Sequence, residues 1–173
     1  MVKRLDMKIA LSGREIAMPK LPPGFSFVSW EGTNTAELAR AMLECYKGHG
    51  DLEFLPERRT AEGCASVIEK DKRENEFMPL FAVKQGQKLC GFTWGEKKNG
   101  KYYVSEVGAV PEFQGRGLGR ALVLKLLGHF KSIGATESYL GVSESNLPAA
   151  PLYKSIGFET IREWDTKDLK KRK

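Results

Sequence analysis

The chain has 173 residues, of which 41% are hydrophobic, and a net charge of +6. That length and composition are typical of one globular domain with its own core. No uncharged apolar run is long enough to cross a membrane, and the closely spaced charges of residues 1–8 are not typical of a signal peptide. Because the three cysteines are far apart, they favour neither a disulfide framework nor a metal site. We therefore expect a cytoplasmic protein without a metal.

The excess charge lies at the two ends. Residues 1–20 and 161–173 each carry a net charge of +3, so the middle is neutral. Such ends are typically solvated tails, and no basic surface interleaved with aromatic residues is visible inside, which argues against nucleic acid as a partner. We expect an N-terminal extension over residues 1–22, one domain over residues 23–165 and a basic tail over residues 166–173.

The first part of the chain predicts a hairpin, a strand and two helices. Residues 7–11 and 15–18 could form a small hairpin around Ser12-Gly13. Phe25–Trp30 has alternation typical of a strand. Asn34 and Thr60 are each followed by a helical pattern, so both are predicted N-caps.

The middle of the chain predicts a run of antiparallel strands. Leu80–Lys84 and Lys88–Gly95 are separated by a glycine turn. Asn99-Gly100 predicts another tight turn. The next strand, Tyr102–Val110, ends at Pro111, because proline cannot donate to a strand ladder.

A glycine-rich loop and a helix follow that strand. The loop spans Gln114–Arg120, and apolar residues recur at helical spacing over Leu118–Ile133. The first turn of a helix has unpaired N–H groups and the positive end of the helix dipole. Glycines 115, 117 and 119 leave those amides accessible, and Arg116 and Arg120 add positive charge. The pattern predicts an anion site, most simply for a phosphate or pyrophosphate.

Two common phosphate motifs do not fit this loop. The P-loop pattern needs a lysine at the helix start, and the dinucleotide pattern needs glycine where Arg120 or Leu122 stands. The sequence from Gln114 to Gly119 instead has the form Gln/Arg-x-x-Gly-x-Gly/Ala. It resembles the acyl-CoA signature of the GNAT superfamily of N-acetyltransferases. The structural alternative is a glycine-rich turn that caps a core helix.

The last part of the chain completes a crossover. Ser138–Val142 is a predicted strand, parallel to Tyr102–Val110 because a helix joins them. A short helix, Pro148–Ile156, and a last strand, Phe158–Trp164, follow. Ligands of such sheets bind at the carboxyl ends of the strands, so the glycine loop and residues 143–146 should share one edge.

A second motif strengthens the resemblance. The stretch 146–158 fits the GNAT pattern Asn-x-x-Ala-x-x-Leu-Tyr-x-x-x-Gly-Phe, with Asn146 and Tyr153 at its polar positions. Pro151 is unusual in that helix, and Ser155 replaces a frequent lysine. The resemblance covers roughly residues 25–164 and implies an α/β (α+β) fold: a mixed central sheet of about six to seven strands flanked by four helices, in the order β-α-α-β-β-β-α-β-α-β.

The resemblance also implies a reaction, in which the acetyl group of acetyl-CoA passes to a primary amine of a small molecule or peptide. The glycine loop would hold the CoA pyrophosphate, and the preceding strand would pair with the pantetheine arm. A backbone N–H of that strand would polarise the thioester carbonyl. The implied cofactor-binding residues are Gly108, Ala109, Val110, Gln114, Gly115, Arg116, Gly117, Leu118, Gly119, Arg120, Asn146 and Tyr153.

Two side chains are candidates for proton transfer. Because an amine is largely protonated at neutral pH, the reaction needs a base. Glu106 is the candidate base, directly or through water, because it shares a strand face with Gly108. Tyr153 is the candidate acid for the leaving thiolate. The structural alternatives are an ion-paired strand glutamate and an aromatic ring packed on the sheet.

The sequence gives the least information about the site that binds the acceptor amine. In the loop of residues 48–59, Asp51 and Glu53 could meet a cationic amine and Phe54 could cover it, although a plain surface loop fits equally well. A non-catalytic acyl-CoA-binding module is the alternative function. The sequence leaves a homodimer open.

Overall fold

The computed structural model describes residues 2–29, 31, 33–47, 52, 55–75 and 78–167. Seven strands and four α-helices form along these residues, and two short 3₁₀ turns, Pro56–Arg59 and Pro111–Phe113, precede the second and third helices. In chain order the elements are β1 Lys3–Ala10, β2 Phe25–Ser29, α1 Thr35–Tyr46, α2 Ala61–Glu74, β3 Leu80–Gln85, β4 Lys88–Lys98, β5 Lys101–Ala109, α3 Leu118–Ser132, β6 Glu137–Ser143, α4 Ala149–Ile156 and β7 Glu159–Asp165.

The strands form one sheet in the order β2-β3-β4-β5-β6-β1-β7. All neighbours are antiparallel except β5 and β6, which are parallel as the crossover predicts. That pair is short, since only Tyr102 with Ser138 and Tyr103 with Tyr139 are in register. Because the two strands are paired at Tyr102 and Tyr103 and unpaired beyond, they leave a V-shaped gap in the middle of the sheet.

β1 is the main difference from the predicted order. It lies inside the sheet, between β6 and β7, and buries Leu5, Met7 and Ile9 on one face. Residues 15–18, the expected second arm of a hairpin, form no strand. The physical reason is that β6 and β7 already occupy both hydrogen-bonding edges of β1, so no edge remains for a hairpin partner.

The helices cover both faces of the sheet. Trp94 on β4 packs in a cluster with α1 and α2, whereas a Cβ on the next residue, Gly95, would lie 2.4 Å from the Phe130 ring of α3. Successive residues of a strand point to opposite faces, so α1 and α2 lie on one face and α3 on the other. No helix in the described ranges is both long enough and apolar enough to span a membrane.

Local signals set the helix starts. The Asn34 side chain accepts a hydrogen bond from the Glu37 N–H at 2.7 Å, and Thr60 accepts one from Gly63 at 3.0 Å. Both predicted N-caps are therefore confirmed.

A β-bulge interrupts the pairing of β4 with β5. Trp94 pairs with Glu106 and Gly95 pairs with Val104, so Ser105 is an extra residue on β5. Such bulges bend a strand and redirect its side chains. This one lies where β5 begins to leave β6.

Candidate active site

The glycine loop presents free backbone amides at the start of α3. Gly115 and Gly117 have φ angles of 73° and 79°, which glycine adopts without strain. A Cβ on either residue would have no atom within 4 Å, so both border open space. Within the described part of the chain, no acceptor is recorded for the backbone N–H groups of residues 115–120. The donor set therefore suits an anion such as a pyrophosphate.

A cavity of about 520 Å³ extends from this loop along β5 to α4. Ten of the twelve predicted cofactor-binding residues line it, and Arg116 and Val110 do not. The Arg116 guanidinium instead lies over the Phe113 ring, 5.6 Å from its centroid. The full lining is Cys45, Val107, Gly108, Ala109, Phe113, Gln114, Gly115, Gly117, Leu118, Gly119, Arg120, Asn146, Pro148, Ala149, Leu152 and Tyr153.

The backbone of β5 faces the V-shaped gap at alternate residues. The Val110 N–H donates to the Cys90 carbonyl at 2.9 Å, on the β4 side. Because polar groups alternate along a strand, the N–H and carbonyl of Ala109 point toward the gap. The side-chain amide of Gln114 donates a 3.0 Å hydrogen bond to the Ala109 carbonyl oxygen. The Ala109 N–H is thus a group that could bind an amide or a carbonyl oxygen, and the Val107 N–H has the same orientation.

α4 forms the other wall of this cavity. Asn146 stands before the helix, and its side chain accepts a 3.3 Å hydrogen bond from the Ala149 N–H. Pro151 falls in the first turn, where no intrahelical N–H is needed. Arg120 of α3 donates to the Ser155 hydroxyl at 2.9 Å, which joins the two helices at the cavity edge.

Tyr153 is a buried residue on the wall of the cavity. The residue is 8% exposed, and its ring contacts Phe158 edge-on at 5.9 Å between centroids. Among the described residues, no hydrogen bond is recorded for its hydroxyl. Burial raises the Tyr153 pKa well above its ordinary value, and the nearby Glu106 carboxylate adds to the rise. The phenol is therefore protonated at neutral pH.

Glu106 is a buried carboxylate with a partner on each oxygen. Arg58 donates to one oxygen, and the Tyr46 hydroxyl donates to the other at 2.9 Å. Burial raises the Glu106 pKa, and the Arg58 charge and the two hydrogen bonds oppose that rise. The net shift is upward, which makes this carboxylate a stronger base than an exposed one.

A second cavity, of about 310 Å³, also lies along β5. Residues 103–106 line the second cavity and residues 107–109 line the first, so the change from one cavity to the other falls at Glu106 and Val107. The second cavity holds the carboxylates of Asp71, Glu96 and Glu106. Its lining is Arg4, Arg58, Asp71, Glu96, Tyr103, Val104, Ser105, Glu106, Leu140 and Gly141.

Sequence reasoning missed three residues of this region. Arg58 and Tyr46 bind Glu106 from separate elements, and no local pattern points to either of them. Cys45 lines the first cavity, and burial raises its pKa to about 12. Asp51, Glu53 and Phe54, the predicted acceptor residues, lie outside the described residues. In the described ranges, no group of three or more His, Cys, Asp or Glu side chains could hold a metal ion.

Curated relatives of this chain are acetyltransferases. The chain is 33% identical over 153 residues to a mycothiol acetyltransferase of Actinosynnema mirum, an alignment that covers 84% of this chain and 49% of the relative. It is 36% identical over 154 residues to a mycothiol acetyltransferase of Thermobispora bispora, covering 81% and 48%. The chain thus spans about half the length of these relatives.

Solved structures share the fold. A GCN5-related N-acetyltransferase from Sphaerobacter thermophilus superimposes with a TM-score of 0.73 at 22% identity, covering 94% of this chain and 49% of that one. The PaiA N-acetyltransferase of Thermoplasma acidophilum, solved with coenzyme A, gives a TM-score of 0.63 at 18% identity, covering 78% and 89%. These similarities and the seven-stranded sheet confirm the predicted fold class.

The family itself follows from the sequence match. The family description that matches this chain is the acetyltransferase (GNAT) family, and the match covers residues 36–158. This range contains the β5 residues that line the two cavities, the glycine loop and α4. That range is well over half of the chain. The protein belongs to the GNAT family of acetyltransferases.

Proposed function

We propose that this protein is an N-acetyltransferase that transfers the acetyl group of acetyl-CoA directly to a primary amine. The observation that carries the proposal is that two cavities with different linings follow each other along β5, at Glu106 and Val107. One cavity ends at free helix amides suited to a pyrophosphate, and the other contains carboxylates suited to a cationic amine. The names of the relatives support acetyl transfer. They do not indicate which amine this chain acetylates, because the chain spans only about half of the relatives' length.

In this proposal the first cavity binds acetyl-CoA. The N–H groups of residues 115–120 hold the pyrophosphate, and Arg120 adds positive charge at the same helix end. The open edge of β5 binds the pantetheine arm. The Ala109 N–H is the donor that would stabilise negative charge on the thioester oxygen as the amine attacks.

Glu106 would act as the base. The ammonium loses one proton to Glu106, directly or through one water, so that its nitrogen has a free electron pair and can attack the carbonyl carbon. The carbon–sulfur bond then breaks, the sulfur takes the Tyr153 hydrogen, and the second proton of the nitrogen passes through water to the Tyr153 oxygen. Arg58 and Tyr46 would hold the carboxylate in place and limit its pKa rise, so that it is charged before the reaction. This role fits the burial and the two hydrogen bonds of Glu106.

Tyr153 would donate its hydroxyl hydrogen to the leaving sulfur. The negative charge of Glu106 is one cause of the raised Tyr153 pKa. Once Glu106 has taken the proton of the amine, that cause disappears, so Tyr153 becomes a stronger acid in the same step. The proposed base and acid are thereby coupled through their charges.

The amine would enter through the second cavity. Asp51, Glu53 and Phe54 remain proposed contacts of the acceptor. The carboxylates of Asp71 and Glu96, within the described residues, would attract its positive charge.

The test combines binding and turnover. Calorimetry should show CoA binding, and a thiol-release assay with mass spectrometry should show an acetylated product from at least one primary amine. Glu106→Gln should lower kcat about a hundredfold or more while CoA affinity stays close to that of the wild type. Tight CoA binding without thiol release from any amine would contradict the proposal and favour a non-catalytic acyl-CoA-binding module.

A further inference from the structure

The first cavity is lined from both faces of the sheet. Cys45 of α1 and Tyr153 of α4 both belong to its wall. Cys45 packs with the cluster of α1 and α2, whereas Tyr153 packs with the cluster that contains α3. Because those helices lie on opposite faces, Cys45 and Tyr153 form opposite sides of the cavity. Cys45 is only half-buried, so a ligand in the cavity can reach it.

The Cys45 sulfur lies beside Gly108 of β5. A Cβ on Gly108 would be 3.0 Å from Sγ of Cys45 and 2.5 Å from the Phe92 ring. Phe92 also belongs to the cluster of α1 and α2, but it does not line the cavity, and Cys45 does. Cys45 is therefore the side chain that a ligand beside Gly108 would meet on the α1 face.

The proposed reaction constrains how the thioester would lie in this cavity. Its oxygen would accept a hydrogen bond from the Ala109 or Val107 N–H, on either side of Gly108. Its sulfur would lie toward Tyr153, on the α4 face. The three substituents of a carbonyl carbon are spread around it in one plane, so the acyl carbon would point away from both groups and toward the α1 face. The wall on that face includes Cys45.

This orientation leaves the carbonyl carbon open to the amine. A nucleophile approaches a carbonyl from above or below its plane, and here that direction runs along β5. Glu106 is on the same strand, two residues before Gly108, and the Tyr46 hydroxyl of α1 binds its carboxylate at 2.9 Å. The consecutive residues Cys45 and Tyr46 therefore lie next to the proposed positions of the acyl group and of the base.

We infer that Cys45 determines which acyl-CoA this protein uses: its side chain leaves room for the methyl group of acetyl and excludes longer acyl chains. The inference rests on the proposed function and adds a specificity-determining residue to the same site. A pocket without space for one more methylene discriminates against it by about tenfold or more. Alanine at position 45 lacks only the sulfur atom, so Cys45→Ala should make room for the extra carbon of a propionyl group.

The experiment measures the affinities of CoA, acetyl-CoA and propionyl-CoA by calorimetry, without an acceptor amine. We expect the wild type to bind acetyl-CoA about tenfold more tightly than propionyl-CoA. That preference, divided by the preference in Cys45→Ala, isolates the contribution of the sulfur, because other differences between the two ligands cancel. We expect this quotient to be about ten, both in affinity and in kcat/KM measured by thiol release.

A larger side chain provides a second, opposite test. Cys45→Val adds a branch where the sulfur stands and should reduce the space for the acetyl methyl group. CoA, which has no acyl group, is the reference ligand. We expect acetyl-CoA affinity to fall about tenfold relative to CoA affinity in this variant. An unchanged ratio of the two affinities would place the acyl group away from Cys45 and overturn the inference.

Cys64→Ala is the matched control. Cys64 is a fully buried cysteine of the same cluster, and it lines neither cavity. Its replacement should lower the denaturation midpoint at least as much as Cys45→Ala does, because a more enclosed site leaves a larger residual cavity. The acyl preference should remain that of the wild type. An equal change of preference in both variants would indicate a general loosening of the cluster and would overturn the inference.

The outcomes separate this inference from the proposed function. Equal affinities of the wild type for acetyl-CoA and propionyl-CoA, or a quotient near one, overturn the inference even if thiol release shows acetyl transfer. A quotient near ten without thiol release from any amine supports the role of Cys45 and contradicts the proposed catalysis. If none of the three ligands binds, the CoA site is wrong and both proposals fail.

Discussion

Arg58 and Glu106 form an ion pair in which each residue is only 8% exposed. They come from different parts of the chain, a 3₁₀ turn before α2 and the middle of β5. Burial alone would favour a neutral Glu106 carboxyl, and the guanidinium opposes that effect. The pair therefore sets both the charge of the proposed base and the position of the turn that covers it.

Replacing Arg58 with Met should shift the pH dependence of catalysis. A base works in its deprotonated form, so kcat/KM rises as the pH rises through the Glu106 pKa. Arg58 lowers that pKa, so its removal should move the rising limb to higher pH. The measurement is kcat/KM against pH for the wild type and the variant. Arg59→Met, a change at the exposed neighbour, should leave the limb in place, and an equal shift in both variants would contradict the assignment.

The same substitution should also destabilise the fold. Removing one partner of a buried ion pair leaves an uncompensated charge, so Arg58→Met should lower the free energy of unfolding by about 3–5 kcal/mol. Adding Glu106→Gln removes that charge and should recover a large part of the loss. Urea unfolding of the two single variants and the double variant measures the coupling. Additive losses would show that the two side chains do not interact in solution.

Tyr153→Phe should lower kcat and leave CoA binding nearly unchanged. The ring would keep its packing against Phe158, and only the proposed hydrogen-bond donor to sulfur would be lost. We expect kcat to fall about tenfold to a hundredfold, as for the loss of one preorganised donor. Steady-state kinetics and calorimetry with CoA measure the two effects. Tyr139→Phe, whose hydroxyl binds Glu137 outside both cavities, is the control, and an equal kcat for Tyr153→Phe and the wild type would remove Tyr153 from the mechanism.

Gly117→Ala should weaken CoA binding, and Gly134→Ala should not. These glycines lie at opposite ends of α3, with φ angles of 79° and 87°, and a Cβ on either would have no atom within 4 Å. Alanine at a positive φ should therefore cost a similar free energy of unfolding, about 1–2 kcal/mol, at both sites. Only the methyl group at Gly117 would project beside the free amides, and we expect at least about tenfold weaker binding there. Equal CoA affinities by calorimetry would contradict the pyrophosphate site.

Gly63→Ala and Gly128→Ala should change stability in opposite directions. Both glycines are helical, but a Cβ on Gly63 would lie 1.9 Å from the Glu57 carbonyl oxygen, whereas one on Gly128 would contact nothing within 4 Å. Gly63→Ala should therefore cost about 1–3 kcal/mol and displace the turn that carries Arg58. Gly128→Ala should add about 0.5–1 kcal/mol, since alanine loses less backbone entropy. Denaturant midpoints measure both, and a stabilised Gly63→Ala would show that the turn packs differently.

Short-range signals made much of this fold predictable. The Asn34 and Thr60 caps, the glycine loop and the apolar spacing of α3 each depend on residues within one or two turns of the chain. The crossover rule then predicted parallel β5 and β6 correctly. The turn at Gly13 was also correct, since its φ is 68°, but the sequence around it does not reveal which strands β1 pairs with.

Contacts between residues that are distant in the sequence could not be predicted from such local signals. Arg58 follows a proline and a glutamate in a stretch that looks like a surface loop, and its partner Glu106 is 48 residues further on. The bulge at Ser105 is equally invisible, because it depends on how β4 and β5 align. The candidate base was assigned from its place on the strand and the candidate acid from the second motif, and both roles stay predictions, whereas the side chains that set their charge and environment could not be found from the sequence.

The position of β1 has a consequence for folding kinetics. Val2 donates to the Thr166 hydroxyl, a contact that spans 164 positions of the chain, and β1 bridges two strands that occur near the end of the sequence. Strand pairs of such high contact order form slowly, because a long loop must close before any contact compensates its entropy. The β2–β5 meander can assemble from neighbours alone, whereas β7 acquires a neighbour in the sheet only through β1. Until that closure, the half of the sheet beyond the V-shaped gap would expose strand edges to other chains, so the period of greatest aggregation risk should precede the docking of β1.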